Sequence, residues 1–546
     1  MPSLWLPVLL ATLGALLFLK LGNVGQRPKG YPPGPATRPI VGNIPDIPKH
    51  NAHIQFKKWA EEYGPIYSLI VGTKTMIMLN TDQSVKDLLD KRSNIYSSRP
   101  ELFVSNLIGE DRIINMPYGD KWRMVRRLFH NLLTMKASKS YEPYQDLESK
   151  AMLAAVLDEP HLLFDHIRRY TNSLSTQIML GFRTIKPNDP RLLRLYEGLE
   201  KWSSVTGAQS AALLDVFPAF RLLPTFMVPL YNYALEVREF VSSFFMSHWL
   251  EAKKKVEDGT AKPSFAVGLV KAQQTEQGLS DALAAWACGV GLEAGSDTTA
   301  ASLIGFIQAM LLYPDAQKEA QETVDRVCGD RLPTIRDMDN LDAQYIRACA
   351  KEALRWMPTV IIGFPHSVVR EDEYMGYKIP KGATIVHNTW AIHTNPTRYP
   401  NPEKFDPSRY MSDSQTSAEA AANPDVTQRD HFGFGAGRRV CPGMHVVDRS
   451  MFLAIARFMW AFTFSKAVDA ATGEEITPDP ADLTPGLLVQ PRPFPFKVTP
   501  RSELRARVVR ETWKECEELL DDEKQWKEIP KGMVFTSYSN SEGKGR

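Results

Sequence analysis

The chain of 546 residues is long enough for several domains or for one large core of many helices. With 43% hydrophobic and 23% charged residues it has an ordinary globular composition, and a formal net charge of +2 gives no reason to propose nucleic-acid binding. The five cysteines, Cys288, Cys328, Cys349, Cys441 and Cys516, are widely spaced and never form a CxxC pair; they suggest neither a disulfide framework nor a zinc site, and they favour a reducing compartment.

The amino terminus, "LWLPVLLATLGALLFLKLG" from Leu4 to Gly22, is an apolar run of roughly 16 residues before Lys20, near the lower limit for spanning a bilayer. It reads as a single transmembrane anchor over residues 1–22 rather than a cleaved signal, since no basic residue precedes it and no small-x-small cleavage site follows. Lys20, Arg27 and Lys29 lie after it, which keeps the bulk of the chain on the cytosolic side. Prolines 32, 33, 35 and 39 make residues 23–43 a stiff hinge that would hold the body at a fixed distance from the membrane.

The body is predicted to be mainly α with small β-sheets. Strand-like runs are confined to "IYSLIVGTKTMIMLN" (Ile66 to Asn80), a hairpin around Gly72, and "GYKIPKGATIVHNTW" (Gly376 to Trp390), a hairpin around Lys381 and Gly382. Ser412 to Gln428 reads as a polar surface loop. The longest periodic stretch starts at a plausible N-cap, Ser280, and runs to "YPD" at Tyr313 to Asp315. It is apolar almost throughout, so a buried central helix of about 48 Å is expected.

In the middle of that helix lies "AGSDTT", Ala294 to Thr299. These are poor helix formers with polar groups that are costly to bury. The threonine hydroxyls either bond back to carbonyls one turn earlier and bend the helix, or the ladder opens so that Asp297 and Thr298 hold water against a ligand.

Several further motifs carry charge. "DKWRMVRRLF" places Trp122 and Arg126 at i, i+4 beside Arg123 and Arg127, so that an indole and a guanidinium can meet one acidic group. "KEALRWMP" places Glu352 and Arg355 at i, i+3, where they can pair. "PHSVVRED" offers His366 before a strand, and "PEKFDPSRY" offers Arg409 as a third member of a buried charge network.

The most specific signal is "HFGFGAGRRVCPG", His431 to Gly443, which fits FxxGxRxCxG at Phe434, Gly437, Arg439, Cys441 and Gly443. A cysteine at the start of an apolar helix has its thiolate favoured by free backbone amides. One thiolate, no second ligand nearby and a flat glycine-rich approach suit haem iron better than zinc or an iron–sulfur cluster, each of which wants several ligands.

Taken in order, the anchor, proline hinge, WxxxR, AGxDTT, ExxR, PxxFxPxR and cysteine loop resemble the cytochrome P450 superfamily over nearly the whole chain. The wording of "GFGAGRRVCPG", "YPPGP" and "PHSVVRED" is most similar to fungal secondary-metabolism members of the O-methylsterigmatocystin oxidoreductase or phenylacetate hydroxylase type. The resemblance implies a haem-thiolate catalytic domain over residues 44–501 with haem b, and Cys441 as axial iron ligand. It implies that Trp122, Arg126, His366, Arg439 and Arg99 hold the haem propionates, with Phe434, Gly435, Gly443 and Ala294 also against the haem. Glu352, Arg355 and Arg409 would be a structural triad, and Asp297 and Thr298 a proton-relay pair.

The implied reaction is oxidation of a hydrophobic small molecule by O2, with electrons from an NADPH-dependent flavoprotein reductase at the endoplasmic reticulum membrane. Arg438, Arg127 and Arg123 are its candidate docking face. Hydroxylation, desaturation, ring closure and aryl coupling all remain open, as does a haem-thiolate sensor or carrier without turnover. Val290, Ala294, Val360 to Phe364 and Leu487 to Val489 are the expected pocket walls. The charged, helical tail, residues 502–546, is open to three readings, packing on the body, binding a partner or solvation, of which its charge favours the last.

Overall fold

The computed structural model describes residues 22–207 and 209–533. The anchor predicted over residues 1–22 therefore falls almost wholly outside the described residues. Among the described residues, no helix is long and apolar enough to cross a membrane.

Ten helices longer than twelve residues build the body: α1 Asp120–Leu132, α2 Glu142–Asp158, α3 Leu163–Leu180, α4 Pro190–Thr206, α5 Pro229–Glu257, α6 Asp281–Leu312, α7 Pro314–Cys328, α8 Gln344–Trp356, α9 Met444–Ala461 and α10 Glu503–Glu517. Eight short strands accompany them: β1 Ile66–Val71, β2 Lys74–Leu79, β3 His366–Ser367, β4 Asp372–Tyr374, β5 Tyr377–Ile379, β6 Thr384–His387, β7 Phe462–Lys466 and β8 Phe496–Pro500.

The central helix α6 has the ends its sequence predicts. Ser280 caps it by accepting the N–H of Leu283 at 3.2 Å, and Tyr313 precedes Pro314, whose ring cannot continue the ladder. It packs on α3 and α5. Its first half, Leu283 to Leu292, belongs to a core shared with α1 and α5. Its second half, Ala300 to Leu311, belongs to a core shared with α8 and α9. The polar stretch Glu293 to Thr299 falls between these two cores, yet Glu293, Ser296 and Thr299 are buried there, so their polar groups need partners.

The first predicted hairpin is present, with Ile66 opposite Leu79 and Gly72 at φ +57° in the turn. The second divides between two sheets instead. Its turn lies at Met375 and Gly376, both at positive φ, so Tyr374 pairs with Tyr377 in the manner of a two-residue hairpin. After Pro380, which has no N–H to give, Thr384–His387 leaves to pair parallel with β2 and antiparallel with β3. The sheet order is β1-β2-β6-β3. The loop predicted at Ser412 to Gln428 contains a short helix, Ser417–Ala422, started by a Thr416–Glu419 capping box.

The proline hinge does not stand clear of the body over its described part. Arg27 donates to the carbonyls of Gly34 and Pro35 and to Ser68 on β1, and the Ser68 hydroxyl donates to Pro32. The tail is likewise not solvated up to residue 533. α10 packs on α2 and buries Val509 and Cys516, and the segment after it buries Leu520 and Trp526. Trp526 Nε1 donates to Gln177 Oε1 at 2.7 Å, and Arg183 Nη1 donates to the carbonyl of Lys524 at 2.6 Å. A few apolar side chains among many charged ones suffice, because the charged ones cover only the outer face.

Candidate active site

The loop before α9 presents Cys441 to a cavity of about 290 Å³. The N–H of Cys441 donates to the Phe434 carbonyl at 2.9 Å and closes the loop on itself. Gly437 sits at φ +67°, and a Cβ there would stand 2.1 Å from the Leu89 carbonyl oxygen, so no other residue fits. Its N–H is held by Asp90 at 2.7 Å. All five cysteines are free; four are buried, and Cys441 alone is partly exposed. Burial raises its thiol, while the amides of Gly443 and Met444 and the charge of Arg126 act in the opposite direction. Desolvation thus outweighs the amides that the sequence suggested would favour thiolate.

Most of the sequence-predicted site meets at this cavity: Arg99, Trp122, Arg126, Ala294, Thr298, His366, Phe434, Gly435, Arg439 and Cys441 all line it. Val290, Val360, Gly363, Phe364 and Leu488 form the expected apolar walls. Gly443 lies outside the lining and forms the N-cap of α9.

Three arginines face this space with only carbonyl partners. Arg99 donates to Ile114, Phe364 and Pro365, Arg439 to Ser97, Ile113 and Met116, and Arg126 to Val440. Arg439 also stacks on Trp122, 4.3 Å from the ring centroid. Burial holds Arg99 down at about 9, and burial with the nearby charges of Arg99 and Arg126 holds Arg439 down at about 8. A guanidinium does not give up its proton in a protein. These depressions therefore mark cations whose charge calls for an anion in the cavity. Burial, then Arg99, keeps His366 far below its ordinary value; its Nδ1 donates to the Tyr96 carbonyl at 2.7 Å. A flat ligand with two carboxylates, an apolar rim and a metal that accepts one sulfur fits this donor set, and haem b is such a ligand.

Behind the cysteine loop the predicted charge network is assembled. Arg355 forks onto both oxygens of Glu352 at 2.7 and 2.8 Å, with both residues fully buried. Arg409 reaches Glu352 at 3.4 Å, and Arg355 also donates to the carbonyls of His393 and Pro402. His393, which sequence reasoning missed, links this network to the loop by accepting the N–H of Phe432.

On α6 the ladder stays closed. Thr298 Oγ1 donates to the Ala294 carbonyl at 2.7 Å and Ser296 Oγ to that of Leu292 at 2.7 Å, while Thr171 and Asn172 of α3 satisfy Ser296 from the side. The helix opening offered as one alternative does not occur, because the hydroxyls and the neighbouring helix supply every partner. Asp297 points away from the cavity lining toward Arg168 and Tyr196; burial raises its carboxyl and Arg168 opposes the rise. The other feature missed from sequence is a fully buried pair at the cavity wall, Arg112 and Glu293, joined by two hydrogen bonds of 2.7 and 2.9 Å.

A helical body that gathers one cysteine sulfur and three desolvated guanidiniums around one cavity fits a haem-thiolate protein. The family model described as "Cytochrome P450" matches residues 32–498. The chain is 55% identical to the cytochrome P450 monooxygenase fsoB of Humicola fuscoatra, covering 98% of this chain and 99% of the relative. It is 50% identical to the cytochrome P450 monooxygenase virE of Hypocrea virens, over 98% and 97%, and 48% identical to fogE of Aspergillus ruber, over 97% and 98%. The chain belongs to the cytochrome P450 family and is a haem-thiolate monooxygenase whose cofactor is haem b. Such an enzyme takes O2, a hydrophobic substrate and electrons from a redox partner.

Proposed function

We propose that Cys441 would hold the haem iron through its sulfur and that Arg99, Trp122, Arg126, His366 and Arg439 would hold the propionates. The observation that carries this assignment is the set of desolvated guanidiniums with no carboxylate partner among the described residues, gathered around the one partly exposed cysteine. When bound, haem held by a thiolate would supply activation of O2, with two electrons from the redox partner and two protons, so that one oxygen atom goes to the substrate and the other to water. The chain's part is to place carbon and move protons. Thr298 Oγ1 leaves the Ala294 carbonyl and donates to oxygen on the cavity side. Asp297, one residue before it, resupplies that proton, and its raised carboxyl favours the protonated form. Val290, Val360, Phe364 and Leu488 exclude water and hold the apolar body of the substrate.

We further propose that the enzyme acts in fungal secondary metabolism, a reading supported by its fungal relatives and apolar pocket. Residues 1–22 anchor it to the endoplasmic reticulum membrane, with the body in the cytosol. An NADPH-dependent flavoprotein reductase docks over Arg123, Arg127 and Arg438; Arg123 and Arg438 lie 5.7 and 5.2 Å from the same Tyr118 ring. The assignment is tested by comparing accurate masses of small molecules from cells producing the native chain and Cys441→Ala. A native-only product heavier by one oxygen supports oxygen insertion, one lighter by two hydrogens supports desaturation or coupling, and identical extracts overturn the catalytic reading.

A further inference from the structure

The Arg112–Glu293 pair stands in an unusual place. Both residues line the cavity that holds Cys441, yet both are almost fully buried, at 1% and 5% exposure. Trp202 and Trp286 lie against the guanidinium, with ring centroids 5.0 and 5.5 Å from Cζ. The fork onto Glu293 uses one N–H of each terminal nitrogen. Among the described residues the Nε–H of Arg112 has no partner, and neither has the indole Nε1–H of Trp202, which also lines the cavity. Each unmade buried hydrogen bond is a standing cost, and an ion pair replaced by apolar residues of similar volume is often no less stable. Stability therefore gives no reason for the pair.

We propose that Arg112, set by Glu293 and assisted by Trp202, is the substrate anchor: it selects flat apolar molecules that carry a neutral acceptor oxygen, a carbonyl above all, at the end remote from the oxidised carbon. This rests on the assignment of Cys441 as the haem ligand. Neutrality follows from the charge count. Glu293 already compensates Arg112, so a substrate carboxylate would bring an unmatched negative charge into a dry wall. A carbonyl accepts the free N–H groups without adding charge. Burial leaves the Glu293 carboxyl above its ordinary value, with Arg112 opposing the rise and Asp297 adding to it.

Calorimetric titration of the haem-loaded enzyme with three isosteric probes tests the anchor. They are 2-acetonaphthone, 2-isopropylnaphthalene and 2-naphthoate. The ketone is expected to bind roughly ten- to a hundredfold more tightly than the hydrocarbon, the worth of a hydrogen bond to a charged group, and the carboxylate most weakly. Arg112→Met/Glu293→Leu removes the pair without stranding a charge and is expected to bind ketone and hydrocarbon alike. Trp202→Phe keeps the ring and is expected to lose part of the preference, since the indole N–H reaches the carbonyl only where Arg112 has seated it. Equal binding of ketone and hydrocarbon by the native enzyme, binding of neither, tightest binding of the carboxylate, or a preference that survives the double substitution overturns the proposal. The carbon monoxide difference spectrum of each reduced protein reports the cysteine–haem bond independently, so loss of that spectrum from the native chain marks failure of the Cys441 assignment instead.

Discussion

His393 Nε2 accepts the backbone N–H of Phe432 at 2.8 Å while its Nδ1 donates to the Arg355 carbonyl at 3.0 Å. Burial, reinforced by His431 and Arg355, keeps the imidazole well below its ordinary value, so the ring is neutral and can serve both bonds at once. One side chain thus fixes the distance between α8 and the loop that carries Cys441. His393→Phe preserves a ring but strands a buried N–H and a carbonyl, and is expected to cost about 1–3 kcal/mol. Urea unfolding of the holoprotein measures the loss, and haem transfer to an acceptor globin should accelerate with it. A variant that unfolds and releases haem as the native protein does would show that the bridge carries no load.

Glu352 and Arg409 should differ sharply as targets. Glu352→Gln leaves the fully buried Arg355 without its counter-charge, an effect of ~3–5 kcal/mol, comparable with the whole stability of many domains. Little haem-containing protein should accumulate. Arg409 is more exposed and its contact is 3.4 Å, so Arg409→Ala should stay within about 1 kcal/mol. Equal losses in haem content would refute this ranking.

Thr298→Ala should keep the fold, since its hydroxyl bonds only within its own helix. NADPH consumption should continue with reductase present while peroxide replaces product. Measuring product per NADPH settles the matter: coupling equal to the native enzyme would assign proton delivery to another group.

The contact between Asp215 and Phe103 is pH-sensitive. Asp215 Oδ1 accepts the N–H of Phe103 at 2.6 Å. Burial is the largest influence on its carboxyl, with Arg221, Lys74 and the Phe103 bond opposing it and Glu101 adding to it; the net result lifts it from 3.8 to about 6. Between these values the folded chain binds more protons than the unfolded chain. The stability this group contributes is present below the lower value and is lost as pH rises through the upper one. Asp215→Asn is expected to remove that slope from urea midpoints collected across the window; an unchanged slope would place its origin elsewhere.

Trp526 is 7% exposed, stacks near Tyr144 at 5.9 Å and donates to Gln177. Trp526→Ala should cost ~3–5 kcal/mol from the lost ring and the cavity it leaves. Thermal unfolding should shift while the carbon monoxide difference spectrum of the surviving protein keeps its position, because the contact lies on α3 and α2, away from Cys441.

Local grammar made much of this structure legible. Ser280 and Pro314 mark the two ends of α6 because a cap and a missing N–H act within one turn. The i, i+3 spacing of Glu352 and Arg355 places them on one face, and the glycines around Cys441 report their own backbone needs. What escaped is what distance in sequence conceals. Arg112 and Glu293 are 181 residues apart, with no pattern around either to announce the partner. Thr384–His387 looks like half of a hairpin, but its neighbour is β2, about three hundred residues earlier. The tail was misread because charged residues outnumber the few that bury, and composition weighs them equally. The Thr298 hydroxyl was left with two partners by sequence, and the carbonyl of Ala294 is the one it takes.

The packing of the tail also orders events during synthesis. Glu148 is fully buried and is shared by Arg169, Arg183 and Gln177, but two of these groups complete their bonding only with residues near the carboxyl end: Arg183 with Lys524 and Gln525, Gln177 with Trp526. The contacts span about 340 residues of chain. A nascent polypeptide therefore carries this cluster of charges uncovered until the segment from Lys524 to Trp526 has been made and can seal it.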